Sequence, residues 1–147
     1  MFYRKFKKNV GGIMMKIKIK VKDFEVEGEL YEDVAPKTVS AIAKALPIKG
    51  IVNRWGDEIY FETDVVVDEE ENSKKFVELG DITYWIPGRA ICIFFGKTPI
   101  SDDKIRPASA VNVIGKVKDW EKFKDVWDGK QLKYLKNDIF SNFYLND

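Results

Sequence analysis

The sequence predicts an all-β fold, a barrel or a sandwich, in which many short strands are accompanied by only two helices. Three observations support this prediction. Short segments alternate between apolar and polar residues, turn-forming residues separate them, and only two stretches carry a helical period. The chain has 147 residues, of which 45% are hydrophobic, and contains no internal repeat or linker. We therefore expect one domain built around a single core.

The clearest strands form an N-terminal hairpin. Residues 16–22 read KIKIKVK, which places Ile17, Ile19 and Val21 on one face, as in a half-buried strand. The next strand begins at Phe24 after a turn at 22–23, and Gly28 marks a bulge or a close approach. The other expected strands are 51–52, 58–63, 65–67, 77–81, 82–85, 90–95, 110–117 and 131–136, with a reverse turn at 87–88.

Two amphipathic helices are expected. Pro36 begins the first at a position where its missing N–H is harmless, and Pro47 ends it. Its apolar face consists of Val39, Ile42, Ala43 and Leu46. Asp119 is a suitable N-cap for the second helix, and Gly129 a suitable C-terminal stop. The aromatic residues that share a face of this helix are Trp120, Phe123 and Trp127.

Composition excludes several kinds of catalytic site. The chain has no histidine and one cysteine, which rules out zinc sites, serine–histidine or cysteine–histidine pairs and imidazole bases. Cys92 lies in an apolar run, so we expect a buried side chain, no disulfide and a cytoplasmic protein. The acidic run at 68–71 lacks the alternating ligands and glycine of a calcium loop and is expected to be solvated. No metal or cofactor is expected.

Charge and hydropathy argue against two classes of partner. The formal net charge is +1, but Arg4, Lys5, Lys7 and Lys8 lie in the first thirteen residues, which contain no acidic residue, so the rest of the chain has 21 basic and 24 acidic residues. A mildly acidic body does not favour nucleic acid, which requires clustered positive charge. The apolar runs are far shorter than the roughly 20 residues that cross a bilayer, so no membrane partner is expected. The 33% of charged residues resemble the composition of thermophile proteins.

The ends of the chain are expected to differ from its body. We expect residues 1–14 to be a disordered extension, because their basic and apolar residues form no continuous signal-peptide core. A further hypothesis is that translation of the natural protein starts at Met14 or Met15. Residues 15–136 form the predicted domain, and 137–147 form a tail without a clear period. No feature of the sequence indicates an oligomeric state.

Three ordered segments carry a resemblance to a known family. Residues 29–38, ELYEDVAPKT, are similar to the strand-to-helix junction "ELF.D.VPKT" of the cyclophilins, and residues 93–98 and 113–117 resemble a later strand, loop and "VFGKV". A closer resemblance is to small archaeal and bacterial cyclophilin-like proteins of unassigned function, over residues 55–61, 80–99 and 107–116. This resemblance covers about residues 15–136. It implies a closed eight-stranded antiparallel barrel with a helix capping each end.

The resemblance also implies which residues would isomerise a prolyl bond. In cyclophilins an arginine after the first helix donates to the prolyl nitrogen, a glutamine holds the substrate backbone, and an apolar pocket with aromatic and histidine rings receives the proline. Arg54 matches the arginine's place. The "QGGD" segment is missing, Ile100 stands where a pocket ring is expected, and the chain has no histidine. The resemblance therefore implies a retained fold with most of its original chemistry lost.

The segment NRWGDE, residues 53–58, is the centre of the candidate site. Gly56 is expected to form a turn and Trp55 to pack, while Asp57 and Glu58 should point to opposite faces of a strand rather than act as a pair. The aromatic and polar residues expected to form a ligand pocket are Arg54, Trp55, Glu58, Tyr60, Tyr84, Trp85, Phe95, Thr98 and Asn112. We expect a non-catalytic module that binds a peptide or a small molecule; the alternative is a prolyl isomerase that relies on Arg54.

Overall fold

The computed structural model describes residues 14–127, 129 and 131–136, and of the last segment only the backbone. The predicted N-terminal extension lies outside the described residues, except for Met14, which begins the first strand. The predicted tail at 137–147 also lies outside them.

The described chain contains ten strands, one α-helix and two short 3-10 helices. The strands are β1 Met14–Val21, β2 Phe24–Tyr31, β3 Ile48–Ile51, β4 Asn53–Arg54, β5 Glu58–Glu62, β6 Ser73–Lys74, β7 Asp81–Trp85, β8 Ala90–Phe94, β9 Val111–Val117 and β10 Gln131–Lys136. The helices are α1 Pro36–Ala45 and the 3-10 segments Ile86–Gly88 and Trp120–Asp125. The mostly β architecture, the N-terminal hairpin and the first helix confirm the sequence predictions.

All strands belong to one antiparallel sheet in the order β3-β10-β1-β2-β9-β7-β8-β5-β4, with β6 paired to β9. Its two outer strands are consecutive in the chain. The first half of segment 48–54 pairs with β10 and the second half with β5, and Val52 separates them. Because no ladder of hydrogen bonds joins β3 to β4, the sheet is an open half-barrel. The prediction of a closed eight-stranded barrel is therefore wrong.

The main core fills the inside of this half-barrel. Alternate residues of β1, β2, β5, β7 and β8 point into it, among them Ile17 and Ile19 of β1 and Ile91 and Ile93 of β8, all fully buried. Helix α1 covers one end of the core with a buried face of Thr38, Val39 and Ile42. Burying a side chain of this size contributes about 1.5–3 kcal/mol relative to leaving it in water, so the alternating pattern specifies the register of the sheet.

The predicted second α-helix is a six-residue 3-10 helix, Trp120–Asp125. Asp119 has φ of 53° and makes no side-chain cap, and the backbone becomes extended at Val126. The carbonyl oxygens of Lys124 and Val126 accept hydrogen bonds from the Arg54 side chain instead of continuing a helix. The prediction of two α-helices is therefore wrong, because the described residues form one α-helix. In the described part of the chain, no helix combines the length and apolarity needed to cross a bilayer.

Two other predicted strands are irregular segments. Residues 65–67 are extended but unpaired, because the Tyr84 hydroxyl donates to the Val65 carbonyl at 2.6 Å and accepts from the Val67 N–H at 3.4 Å. In the segment 77–81, Val77 makes a single bridge to Ile105, residues 79–80 form a turn, and Asp81 already begins β7. Residues 65–67 alternate in burial as a strand would, but they belong to no strand of the sheet.

The acidic loop at 68–71 is largely exposed, as expected, and Glu71 within it also caps helix α1. Helix α1 has no side-chain cap of its own, and the Glu71 carboxylate takes that role by accepting from the backbone N–H of Lys37 at 3.1 Å and of Thr38 at 2.8 Å. Partial burial opposes ionisation, but these hydrogen bonds outweigh it and lower the pKa of Glu71. Glu69 adds an ion pair to Lys37 at 2.7 Å. The loop thereby joins the helix to the sheet.

Candidate functional site

A cavity of about 170 Å³ lies on the sheet face opposite the main core. Strands β5, β8 and β9 form its floor with a second, smaller apolar cluster, and the loop at 96–110 provides one wall. The residues that line it are Trp55, Glu58, Tyr60, Trp85, Cys92, Pro107, Ala108 and Val111. Four of the nine residues expected from the sequence therefore come together here, namely Trp55, Glu58, Tyr60 and Trp85.

The turn between β4 and β5 places Trp55 and Glu58 side by side. Their backbones exchange two hydrogen bonds, of 2.9 and 3.2 Å, around a two-residue turn at Gly56 and Asp57. Gly56 has φ of 62°, and an added Cβ would lie 2.8 Å from the Lys97 carbonyl oxygen, so glycine is required. Residues that flank such a turn project to the same face of the hairpin. The predicted turn at Gly56 is confirmed.

The loop at 96–110 is held over the cavity by hydrogen bonds. The Trp85 indole N–H donates to the Ser109 hydroxyl at 2.7 Å, next to Pro107 and Ala108 in the cavity wall. Within the loop, the buried Thr98 hydroxyl donates to the Arg106 carbonyl oxygen. Thr98 therefore shapes the loop and does not line the cavity.

Glu58 is the unusual residue of the cavity. The residue is 6% exposed, and within the described part of the chain its buried Oε1 has no hydrogen-bond partner. Burial raises the pKa of Glu58 to about 7, although the neighbouring Cys92 thiol partly opposes this shift as a hydrogen-bond donor. A buried carboxylate without a countercharge is costly, and the rise in pKa reflects that cost. Because native proteins pair most buried polar atoms, an unpartnered Oε1 in a cavity wall indicates a place for a donor from outside the chain.

One uncharged polar side chain, Cys92, adjoins Glu58, and a second, Thr83, adjoins Cys92. Cys92 of β8 lies diagonally across the ladder from Glu58, and Thr83 of β7 pairs with Cys92 on its other side. Burial, followed by the charge of Glu58, raises the pKa of the Cys92 thiol well above its ordinary value, so this thiol is not a nucleophile. The Thr83 hydroxyl is fully buried and also lacks a hydrogen-bond partner. The prediction that Cys92 is a buried small residue is confirmed.

Arg54 serves a structural purpose outside the cavity. Its side chain is 8% exposed, and its guanidinium donates to the carbonyl oxygens of Gly56 at 2.7 Å, Lys124 at 2.7 Å and Val126 at 3.1 Å. It also pairs with Asp57 at 2.8 Å and lies 3.8 Å from the centre of the Trp127 ring. Asp57 thus engages Arg54 while Glu58 lines the cavity, as expected for adjacent residues. The guanidinium therefore holds the 120–127 segment against the β4–β5 turn through these hydrogen bonds.

The other expected pocket residues lie elsewhere. Tyr84 is fully buried and holds the 65–67 segment through its hydroxyl, and Phe95 packs against Phe123 in the main core. The buried Asn112 side chain accepts from the Glu71 N–H and donates to the Glu69 carbonyl oxygen, both at 3.0 Å. These three residues stabilise the fold and do not line the cavity, and neither does Thr98.

The sequence did not identify four lining residues. Cys92 belongs to an apolar run whose two faces are both buried, so periodicity could not assign it to the cavity. Val111 begins a strand of the same kind, and Pro107 and Ala108 come from a loop without period. The structure shows why Cys92 lies in the cavity: the register of β5 and β8 places it opposite Tyr60. Among the described residues, no group of three or more cysteine, aspartate or glutamate side chains could hold a metal ion.

Comparison with known proteins identifies the family. A family model described as cyclophilin-like matches residues 15–134. The solution structure of the hypothetical protein AF2241 from Archaeoglobus fulgidus is 59% identical, with a TM-score of 0.75, and the match covers 88% of this chain and all of that one. McbB, solved in complex with tryptophan, shares the fold at 10% identity and a TM-score of 0.68, over 89% of this chain and 46% of its own length. No curated protein matches the chain. The chain therefore belongs to the cyclophilin-like family.

Proposed function

We propose that this protein is a non-catalytic binding domain whose cavity beside Glu58 holds a small molecule. The observation that carries the proposal is the buried, unpartnered Oε1 of Glu58 in the wall of a cavity lined by Trp55, Tyr60 and Trp85. Apolar and aromatic walls with a few polar groups are typical of ligand sites. The fold supplies rigid strands for three of these side chains, which keeps the site formed without its ligand.

The size of the cavity favours a small molecule over a peptide. Its volume of about 170 Å³ is close to that of an engineered cavity of about 150 Å³ that binds benzene. A ligand of one ring with a short substituent fills such a space. An extended peptide would place at most one side chain in it, and the rest would depend on surface contacts.

The alternative function, prolyl isomerisation by Arg54, gains no support from the geometry. A catalytic arginine must present its guanidinium to the prolyl nitrogen, whereas this guanidinium donates to three carbonyl oxygens of its own chain. Arg54 also lies outside the cavity. We therefore propose binding without isomerase chemistry.

We expect a single-ring compound to perturb two of the four tryptophan indole signals in a proton–nitrogen NMR titration. Trp55 and Trp85 line the cavity, so their indole N–H signals should shift with added probe. Trp127 contacts Arg54 and Trp120 packs against the main core; neither lines the cavity, so both serve as internal controls. Benzyl alcohol and benzylamine, which are of matched size, are suitable probes.

A blocking variant tests whether the shifts report the cavity. Ala108 is an exposed lining residue, so a phenylalanine there can fill the cavity without entering the core. We expect Ala108→Phe to abolish the shifts of Trp55 and Trp85, while Ala45→Phe, at an exposed position of α1, leaves them unchanged. Shifts confined to Trp120 and Trp127, or shifts that persist in Ala108→Phe, would contradict the proposed site.

A further inference from the structure

We propose that the ligand is a compact organic amine whose cationic nitrogen donates a hydrogen bond to the carboxylate of Glu58. This inference rests on the proposed function and specifies the chemical class of its ligand. It depends on three features of the cavity: the negative charge that Glu58 can carry, the aromatic side chains of the walls, and the Glu58 Oε1 acceptor.

The cavity carries a potential negative charge and no positive one. Glu58 is the only carboxylate among the eight lining residues, and none of the eight is lysine or arginine. The other side chains in the wall with a polar atom belong to Trp55, Tyr60, Trp85 and Cys92, and none of them is a cationic group. A ligand carboxylate or phosphate would meet a like charge without a counterion, so the site disfavours anions. A cation is attracted.

The walls also suit a cation. Trp55, Tyr60 and Trp85 line the cavity, and aromatic rings attract an ammonium group through their quadrupole, most strongly where water is excluded. A cavity of about 170 Å³ admits one ring or a short branched chain beside the ammonium group. In a compact amine of this kind, the apolar part can contact the aromatic walls while the ammonium group contacts Glu58.

The acceptor distinguishes a cation from a neutral donor. Among the described residues Glu58 Oε1 has no hydrogen-bond partner, and no basic side chain of the cavity wall can neutralise an ionised Glu58. A neutral alcohol would leave the buried carboxylate without a countercharge. An ammonium group satisfies the acceptor and supplies the countercharge, and charge-assisted hydrogen bonds of this kind are shorter and stronger than neutral ones.

Paired probes of equal size test the inference. Benzylamine, benzyl alcohol and benzoate differ in charge but share the ring, and their affinities for the full chain can be measured by calorimetry at about pH 8, where Glu58 is mostly ionised. We expect benzylamine to bind at least about tenfold more tightly than benzyl alcohol, and benzoate to bind most weakly. In Glu58→Gln, benzylamine should fall to the affinity of benzyl alcohol. Glu62→Gln, at an exposed position of the same strand, should leave the ratio unchanged.

The outcomes separate the two proposals. Equal binding of benzylamine and benzyl alcohol, with the Trp55 and Trp85 signals shifting in both cases, would overturn the amine and leave the small-molecule site intact. Failure of all three probes to bind would overturn both proposals. Because the ratio between the probes is measured on the wild-type protein, the inference remains testable even if Glu58→Gln folds poorly.

Discussion

Replacing Glu58 by glutamine is expected to stabilise the protein at alkaline pH by roughly 3 kcal/mol and to change its stability little at acidic pH. Burial raises the pKa of Glu58 from 4.5 to about 7. Between these two pH values the unfolded chain releases the proton while the folded chain retains it, so the free energy of unfolding falls as pH rises. A shift of about 2.5 pKa units corresponds to roughly 3 kcal/mol of lost stability above pH 7. Glutamine carries no proton to lose and avoids this loss.

Urea denaturation of both proteins over a pH series measures this effect. The raised pKa of Asp81 and the lowered pKa of Glu71 contribute to both curves and cancel in the difference. The difference should be small near pH 4, grow through pH 5 to 7 and then level off. Glu62→Gln, at an exposed position, should give a curve parallel to that of the wild type. Parallel curves for Glu58→Gln and wild type would show that the carboxyl is hydrated and the cavity is not apolar.

Replacing Arg54 by alanine is expected to destabilise the protein by about 3 kcal/mol. The change removes the donors to the carbonyl oxygens of Lys124 and Val126, together with the stacked contact to Trp127. Arg54→Lys should recover only part of the loss, because an ammonium group cannot match the planar guanidinium. Thermal unfolding measures the effect, and Lys49→Ala, at an exposed position of β3, is the control.

The same variant tests the alternative function. We expect the wild-type protein not to accelerate isomerisation of an Ala-Pro peptide. Acceleration by the wild type that disappears in a stably folded Arg54→Ala protein would contradict the structural role assigned to this residue.

The sequence predicts those parts of the fold in which local pattern and burial agree. Strict alternation predicts β1 and β2, and Pro36 with its apolar face predicts α1, because each signal lies within its own element. No such signal marks the open edge between β3 and β4. The edge is open because β3 pairs with β10 and β4 pairs with β5, with the change of partner at Val52. The helical period after Asp119 is overridden by Arg54, a residue 70 positions from Lys124 that takes the carbonyl groups a longer helix would use.

The residues of the candidate site also divide into those that the local sequence predicts and those that depend on distant segments. Trp55, Glu58 and Tyr60 are predictable because a turn and a strand bring neighbouring residues together. Arg54 is misassigned because three of its hydrogen bonds go to backbone carbonyl groups, which the sequence does not reveal. Tyr84, Phe95 and Asn112 have residue types suited to a pocket, but their faces depend on distant segments that the sequence does not place.

The proposed site depends on Glu58, whose buried Oε1 has no hydrogen-bond partner among the described residues and lies in the wall of a largely apolar cavity. A carbon-13 NMR titration of the Glu58 side-chain carboxyl in the free protein tests it most directly. The account predicts a titration midpoint at about pH 7. A midpoint near the ordinary value of 4.5 would show that water or a partner already satisfies this carboxyl, and would contradict the proposed site.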